Sequence, residues 1–195
     1  MNAASDYAAA SAALTKTLPA YVSYTEGAHM KFDALTRNQT TNIVLRTSDG
    51  SIVKGEPISF NPIVPSSNGN DILTDPPFVP HCYDPIDARA ATYAGQAVEA
   101  IALRSRCHPN QHLDEDATGF DTLYVDPRSH DPVGATASTM KQNMYLSLEE
   151  RFVRAGAYIV PSALSAHAKG HQLMIWFDAL VQVAYSNYGF SSKAP

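Results

Sequence analysis

The stretch from Ala157 to Phe190, AYIVPSALSAHAKGHQLMIWFDALVQVAYSNYGF, limits what this chain can fold into more than any other. It reads as a long β-hairpin turned back at Lys169-Gly170. On the return arm, alternation puts Leu173, Ile175, Phe177, Val181, Val183 and Tyr185 on one side. Met174, Trp176 and Leu180 fall on the other, interrupted by Asp178 and Gln182. A strand apolar on both faces from Leu173 to Phe177 has to be covered twice. Most of the remaining chain reads as partners for this hairpin.

An antiparallel frame follows from the other segments. Ser5 to Leu18 is Ala-rich with near-helical apolar spacing, Ser5 or Asp6 can cap it, and Pro19 ends it. Tyr21 to Phe32 alternates, with Val22, Tyr24, Ala28, Met30 and Phe32 on one face. Thr40 to Thr47 is the next strand, and Asp49-Gly50 turns it into Ser51 to Lys54. Arg89 to Arg106 reads as a second hairpin turning near Gly95-Gln96, although its alanines also favour a helix over 97–106. Asp121 to Asp126, Val133 to Ser138 and Asn143 to Val153 are further strands, and Ala155-Gly156 is a turn. On the segment Asn143 to Val153, Met144, Leu146, Leu148 and Phe152 share the apolar face.

Between these runs, Glu56 to Pro85 holds seven of the 13 prolines, too many for a long helix or regular strand. It also holds Ile58, Phe60, Ile63, Val64, Ile72, Leu73, Phe78 and Val79, too apolar for a disordered linker. It reads as an ordered crossover lying on a sheet face or across its open end. The fold expected for residues 1–195 is one domain of mainly β α+β class: a strongly curved antiparallel sheet, open as a half-barrel, with one N-terminal helix against it.

The charge pattern excludes some functions. With 14 basic against 19 acidic residues and no Lys/Arg cluster, the footprint of a nucleic-acid or anionic-membrane binder is missing. No run approaches the ~20 apolar residues of a membrane-spanning helix. The opening MNAASDYAAASAALTKTLPAY lacks the basic start and continuous apolar core of an intact signal peptide. Cys82 and Cys107 flank the second hairpin. A bridge between them would close a loop of about 26 residues, worth roughly 3–4 kcal/mol, and would place the chain outside the cytoplasm. Two unrelated free thiols fit the same sequence.

Chemistry-bearing motifs are sparse. The segment from Cys107 to Asp116 gathers His108, His112, Asp114, Glu115 and Asp116, all metal-ligand types. Pro109 denies it the helix on which a His-x₃-His spacing works, and a solvated loop is the plainer reading. A metal-dependent hydrolase built on His108 and His112 is the enzymatic alternative. No nucleophile elbow and no Gly-rich phosphate loop occurs, and Asp121, Asp126 and Asp131 read as turn residues. Asn38-Gln39-Thr40 fits a glycosylation triplet, a pattern too common to carry weight. The expectation is a chain without catalytic centre, metal or cofactor.

Apolar surplus stands out instead. One helix cannot cover both faces of so wide a sheet, so either the crossover completes a filled core or the concave face holds a cavity for an apolar ligand. The residues expected to line such a cavity are Met144, Leu146, Phe152, Tyr158, Leu164, Ile175, Trp176 and Phe177.

The order of segments resembles a known family. A short helix leads to Pro19-x-Tyr21-Val22-x-Tyr24, then to Arg46-Thr47-x-Asp49-Gly50 and a proline-rich crossover. A hairpin centred on Gly95 and ending in Leu103, a Leu123-Tyr124-Val125-Asp126 strand, and Tyr185-x-x-Tyr188-x-Phe190 complete it. This is similar to the outer-membrane-lipoprotein-sorting (LolA/LolB-like) superfamily of bacterial extracytoplasmic proteins. The resemblance implies an incomplete barrel with a helix at its mouth, a non-enzymatic role in the envelope, and acyl chains as ligands. The carriers use a basic residue near the cavity entrance that does not align here, so fold and ligand class carry over and residues do not. The expected partners are a lipid or other apolar ligand and, for a filled core, another envelope protein.

Overall fold

Strands dominate the computed structural model, which describes residues 2–33, 35–48, 51–59, 72–73, 76–106, 119–141, 144–172 and 175–193, with backbone alone at 51–59, 141, 172 and 175. Helix α1 spans Ala3–Leu14. Its cap is Asn2, three residues earlier than Ser5 would have set the start. The Asn2 side chain accepts the Ser5 N–H at 3.3 Å, and the Asp6 carboxylate accepts the Asn2 N–H at 3.0 Å. Thr15 ends the helix with its Oγ1 on the Ser11 carbonyl, so Thr15 to Leu18 joins the connection to the sheet rather than α1.

Ten strands follow: β1 Tyr21–Phe32, β2 Leu35–Arg46, β3 Ser51–Ser59, β4 Tyr83–Tyr93, β5 Gln96–Ser105, β6 Thr122–Val125, β7 Pro132–Lys141, β8 Met144–Ala155, β9 Tyr158–Gln172 and β10 Ile175–Ser191. They form one antiparallel sheet in the order β3-β2-β1-β10-β9-β8-β7-β6-β5-β4, a curved open half-barrel with α1 against it. The segment 97–106 is strand as far as Ser105 and not helix, because Ile101 and Leu103 bury on one face while Val98 and Ala100 bury on the other. Covered twice, it profits from sheet pairing more than from alanine's helix preference.

Two expectations need correction. The central hairpin does not turn at Lys169-Gly170. Those residues lie inside β9, where Gly170 pairs with Phe177, and Ile175 pairs with Gln172. β9 runs to Gln172 and β10 starts at Ile175, and Leu173 and Met174 lie outside the described residues. The hairpin is longer because Ala166, Ala168 and Gly170 are small enough to continue one face of the strand without an apolar signal. The crossover is also shorter than 56–85: β3 runs through Pro57 and β4 through Pro85. Both are edge strands, where a missing N–H can face away from the ladder, and both pairings shift register beside the proline. Residues 60–71 and 74–75, with Phe60, Ile63 and Val64, lie outside the described residues.

A bulge adjusts the central pairing. Between Ser23 and Thr25 the register of β1 on β10 jumps from Gly189 to Ser186, with Asn187 in the left-handed region at φ 56°. The extra residue lets Tyr185 and Tyr188 both reach Tyr24, edge-on at 5.9 Å and stacked at 5.5 Å.

The helix-bearing face carries two separate hydrophobic clusters. One joins Tyr7 and Ala10 of α1 to Phe78, Tyr83, Ile101, Phe120, Leu123, Val125, Ala135, Phe152 and Ile159. The other gathers Val22, Tyr24, Ile43, Ile72 and Tyr185, with Leu18, Leu73, Leu164 and Val183 against them. Tyr7 ties α1 to the end of the crossover by donating its hydroxyl to the Pro80 carbonyl at 2.5 Å.

Candidate ligand cavity

Between the two clusters lies a cavity of about 900 Å³. The first cluster contributes Leu14, Phe78, Val79, Phe152 and Ile159 to its wall, and the second contributes Leu18, Ile72 and Leu73. Its rim is exposed at Thr15, Lys16, Thr17 and His81. Such a volume is within the range of small-molecule sites, about 300–1,000 Å³, and the mainly apolar lining matches them.

Among the polar side chains of this lining, one is buried. Glu150 is fully buried, directly opposite Ala135 of β7 and Leu164 of β9. Its Oε2 accepts the Phe78 N–H at 2.9 Å, while Oε1 has no hydrogen-bond partner among the described residues. Burial pushes this carboxyl up to about 8, against the lowering effect of the Phe78 N–H. Burial therefore favours the neutral acid, the form that carries a proton to donate.

The expected lining residues are split by this geometry. Phe152 is buried in the cavity wall beside Ile159 and Pro161. Leu164 packs on the second cluster and stands opposite Glu150. Leu146 and Phe177 are half-buried on the same face toward the far end of the sheet, where Met144 is exposed. Tyr158 is half-buried against Phe190, with ring centroids 4.7 Å apart, and the Lys16 ammonium lies 5.2 Å from the Tyr158 ring centroid. Trp176 lies on the opposite face, paired with His171, stacked on it at 4.7 Å and 72% exposed. A tryptophan adjacent to Phe177 in a regular strand cannot share its face. The side chain of Ile175 lies outside what is described.

Residues that the sequence pattern passed over complete the site. Glu150 occupies the same parity as Leu146, Leu148 and Phe152, and that parity is the signal that could have found it. Phe78 is reached only through the crossover, and Leu14 and Leu18 only once the helix is docked.

Polar groups cluster elsewhere. On the outer face Tyr93 crosses Gly134, stacks on Tyr124 at 4.2 Å and donates to Glu149 Oε1 at 2.6 Å. Burial works against Glu149 ionisation, yet the Arg151 and Tyr93 hydrogen bonds hold it below the ordinary carboxylate value. At the start of α1, His130 Nδ1 lies 3.1 Å from Asp6 Oδ1. Burial, and then its hydrogen bond to Asp6, raise Glu99 beside them. These groups hold α1 to the sheet. Asp126 Oδ1 accepts the Arg128 and Ser129 N–H groups, and Asp121 accepts that of Ser138, so both serve turn and strand geometry. Among the described residues, no group of three His, Cys, Asp or Glu is placed to hold a metal ion. His108 and His112 lie outside them. Cys82 is disulfide-bonded, and Cys107 lies outside the described residues. No helix among the described residues is long and apolar enough to cross a membrane.

No family model matches the chain, and no curated protein matches it in sequence. Solved structures match in fold. A domain of a proposed outer membrane lipoprotein-sorting protein from Vibrio parahaemolyticus covers 100% of this chain and 95% of its own at 11% identity, with a TM-score of 0.56. A DUF1329 family protein from Desulfovibrio piger covers 100% and 96% at 8% identity, with a TM-score of 0.54. A LolA superfamily protein from Nitrosomonas europaea covers 100% and 96% at 12% identity, with a TM-score of 0.45. The likeness is one of fold along the whole chain, and it is the fold that the sequence resemblance implied.

Proposed function

We propose, from the half-barrel fold shared with the lipoprotein-sorting domain, that this chain is a non-enzymatic extracytoplasmic protein that holds a lipid or other apolar ligand between its two hydrophobic clusters. One observation carries the reading. A single sheet face bears two buried clusters, and instead of merging into one core they border a cavity of about 900 Å³. An acyl chain laid there would join them, at about 0.8 kcal/mol per buried CH₂. The disulfide at Cys82 supports an oxidising compartment. The rival, an envelope interaction module that pairs along a sheet edge, meets Pro57 and Pro85 on the two edge strands.

Native mass spectrometry of the purified protein, with organic extraction and displacement of a fluorescent fatty acid, tests this. Co-purifying lipid or saturable probe binding is expected, and Phe152→Ala should weaken it. Absence of both lipid and probe binding would leave the interaction module as the better account.

A further inference from the structure

A buried carboxyl with one oxygen satisfied and the other unpaired is a half-built hydrogen-bond site. Oε2 of Glu150 is taken by the Phe78 N–H, so in the neutral acid the proton resides on Oε1. That O–H finds no acceptor among the described residues. Its wall neighbours Phe78, Phe152 and Ile159 offer only apolar side chains, and a trapped water needs about 2–4 polar partners.

We propose that Glu150 is the polar anchor of this cavity, donating its Oε1 proton to the carbonyl oxygen of an uncharged ester- or amide-linked acyl ligand. The proposal rests on the lipid-binding reading and narrows it to a ligand class. A ligand carboxylate beside Glu150 would be a buried anion without a counter-ion, which is strongly disfavoured. The cations of the site, Lys16 and His81, stand at the exposed rim. Across the sheet Glu150 meets only Ala135 and Leu164. From β4 the uncharged Tyr83 senses it, and on its own strand Glu149 and Arg151 point to the other face. A free fatty acid would therefore keep its head at the rim and leave Oε1 unpaired. The raised pKa of Glu150 is consistent with the donor role, since the proton must be present at neutral pH.

Displacement of a fluorescent acyl probe by a monoacylglycerol and by the free fatty acid of equal chain length tests the proposal, in wild type, Glu150→Gln and Glu150→Leu. Loss of one such hydrogen bond should weaken the ester about five- to tenfold in Glu150→Leu and leave the fatty acid unchanged. Glu150→Gln keeps a neutral donor and should bind the ester within about twofold of wild type. Wild-type ester binding should weaken from about pH 6 to about pH 9 as the proton is lost, and Glu150→Gln should remove that dependence. Equal ester binding by wild type and Glu150→Leu overturns the anchor while leaving the cavity standing. Should Glu150→Leu not fold, a flat wild-type pH profile overturns it instead. If neither competitor binds wild type, the ligand-binding reading fails and the anchor fails with it.

Discussion

The backbone N–H of Phe78 donates to Glu150 Oε2 at 2.9 Å across 72 residues of sequence, joining the end of the crossover to the cavity wall. The bond takes one carboxyl oxygen and leaves the other, within the cavity wall, unpaired among the described residues. Burial of the same carboxyl couples the stability of the fold to pH.

Glu150 should make the protein less stable as pH rises. Its folded value is raised from 4.5 to about 8, so within that window the folded chain holds a proton that the unfolded chain has released. Its contribution is fully present below about 4.5, declines through the window and levels off above about 8. The expected loss is on the order of a few kcal/mol. Urea denaturation across this range should show the slope in wild type and a flatter profile in Glu150→Gln. Parallel profiles would assign the pH dependence to other groups.

Phe78 should be costly to truncate. It is 2% exposed, stacks on Tyr83 at 5.1 Å and meets Phe120 and Phe152 edge-on. Phe78→Ala is expected to cost about 3–5 kcal/mol in chemical denaturation. A loss under about 1 kcal/mol would mean that the crossover packs there only weakly.

Trp176→Ala, by contrast, should leave stability within about 0.5 kcal/mol of wild type, because the ring is exposed. Ligand affinity should also stay unchanged, since Trp176 is on the face away from the cavity. A marked drop in acyl-probe affinity would place the binding site on the outer face.

Gly134 is required by the ring that crosses it. A Cβ there would run into the Tyr93 ring, whose hydroxyl is held by Glu149. Gly134→Ala should therefore destabilise by about 1–3 kcal/mol, as overpacking does. In the Tyr93→Ala background the same substitution should be nearly neutral, and thermal melts of the two pairs read the difference. Equal costs in both backgrounds would show that the ring is not the obstacle.

The bridge at Cys82 should raise the melting temperature. Cys107 is the other of the chain's two cysteines, and closing the loop of about 26 residues between them is worth roughly 3–4 kcal/mol. Reductant or Cys82→Ser should lower the midpoint, and non-reduced peptide mapping should recover the two cysteines in one disulfide-linked species. Unlinked peptides would exclude that pairing.

Much of this architecture can be read residue by residue. The alternation of Tyr21 to Phe32 marks β1 to its ends, because a half-buried strand repeats every two residues whatever lies above it. Gly95 and Gly156 mark turns through positive φ, a local demand that composition reveals, although the first reversal sits at Ala94-Gly95, one residue before the expected Gly95-Gln96. Small residues defeated the same reasoning in β9, where Ala166, Ala168 and Gly170 pair fully without announcing a face.

What the sequence determined by itself is the local part: the strand periods, most of the reversals and an antiparallel sheet with more apolar face than one helix can cover. Only the tertiary structure decided that the apolar residues divide into two clusters with a cavity between them, and that Glu150 stands in its wall. Cavity and buried acid both depend on which distant segments meet. A glutamate at an apolar position reads as a solvated charge until Phe78, 72 residues away, supplies an N–H to one of its oxygens and the packing around it supplies the burial that favours its neutral form.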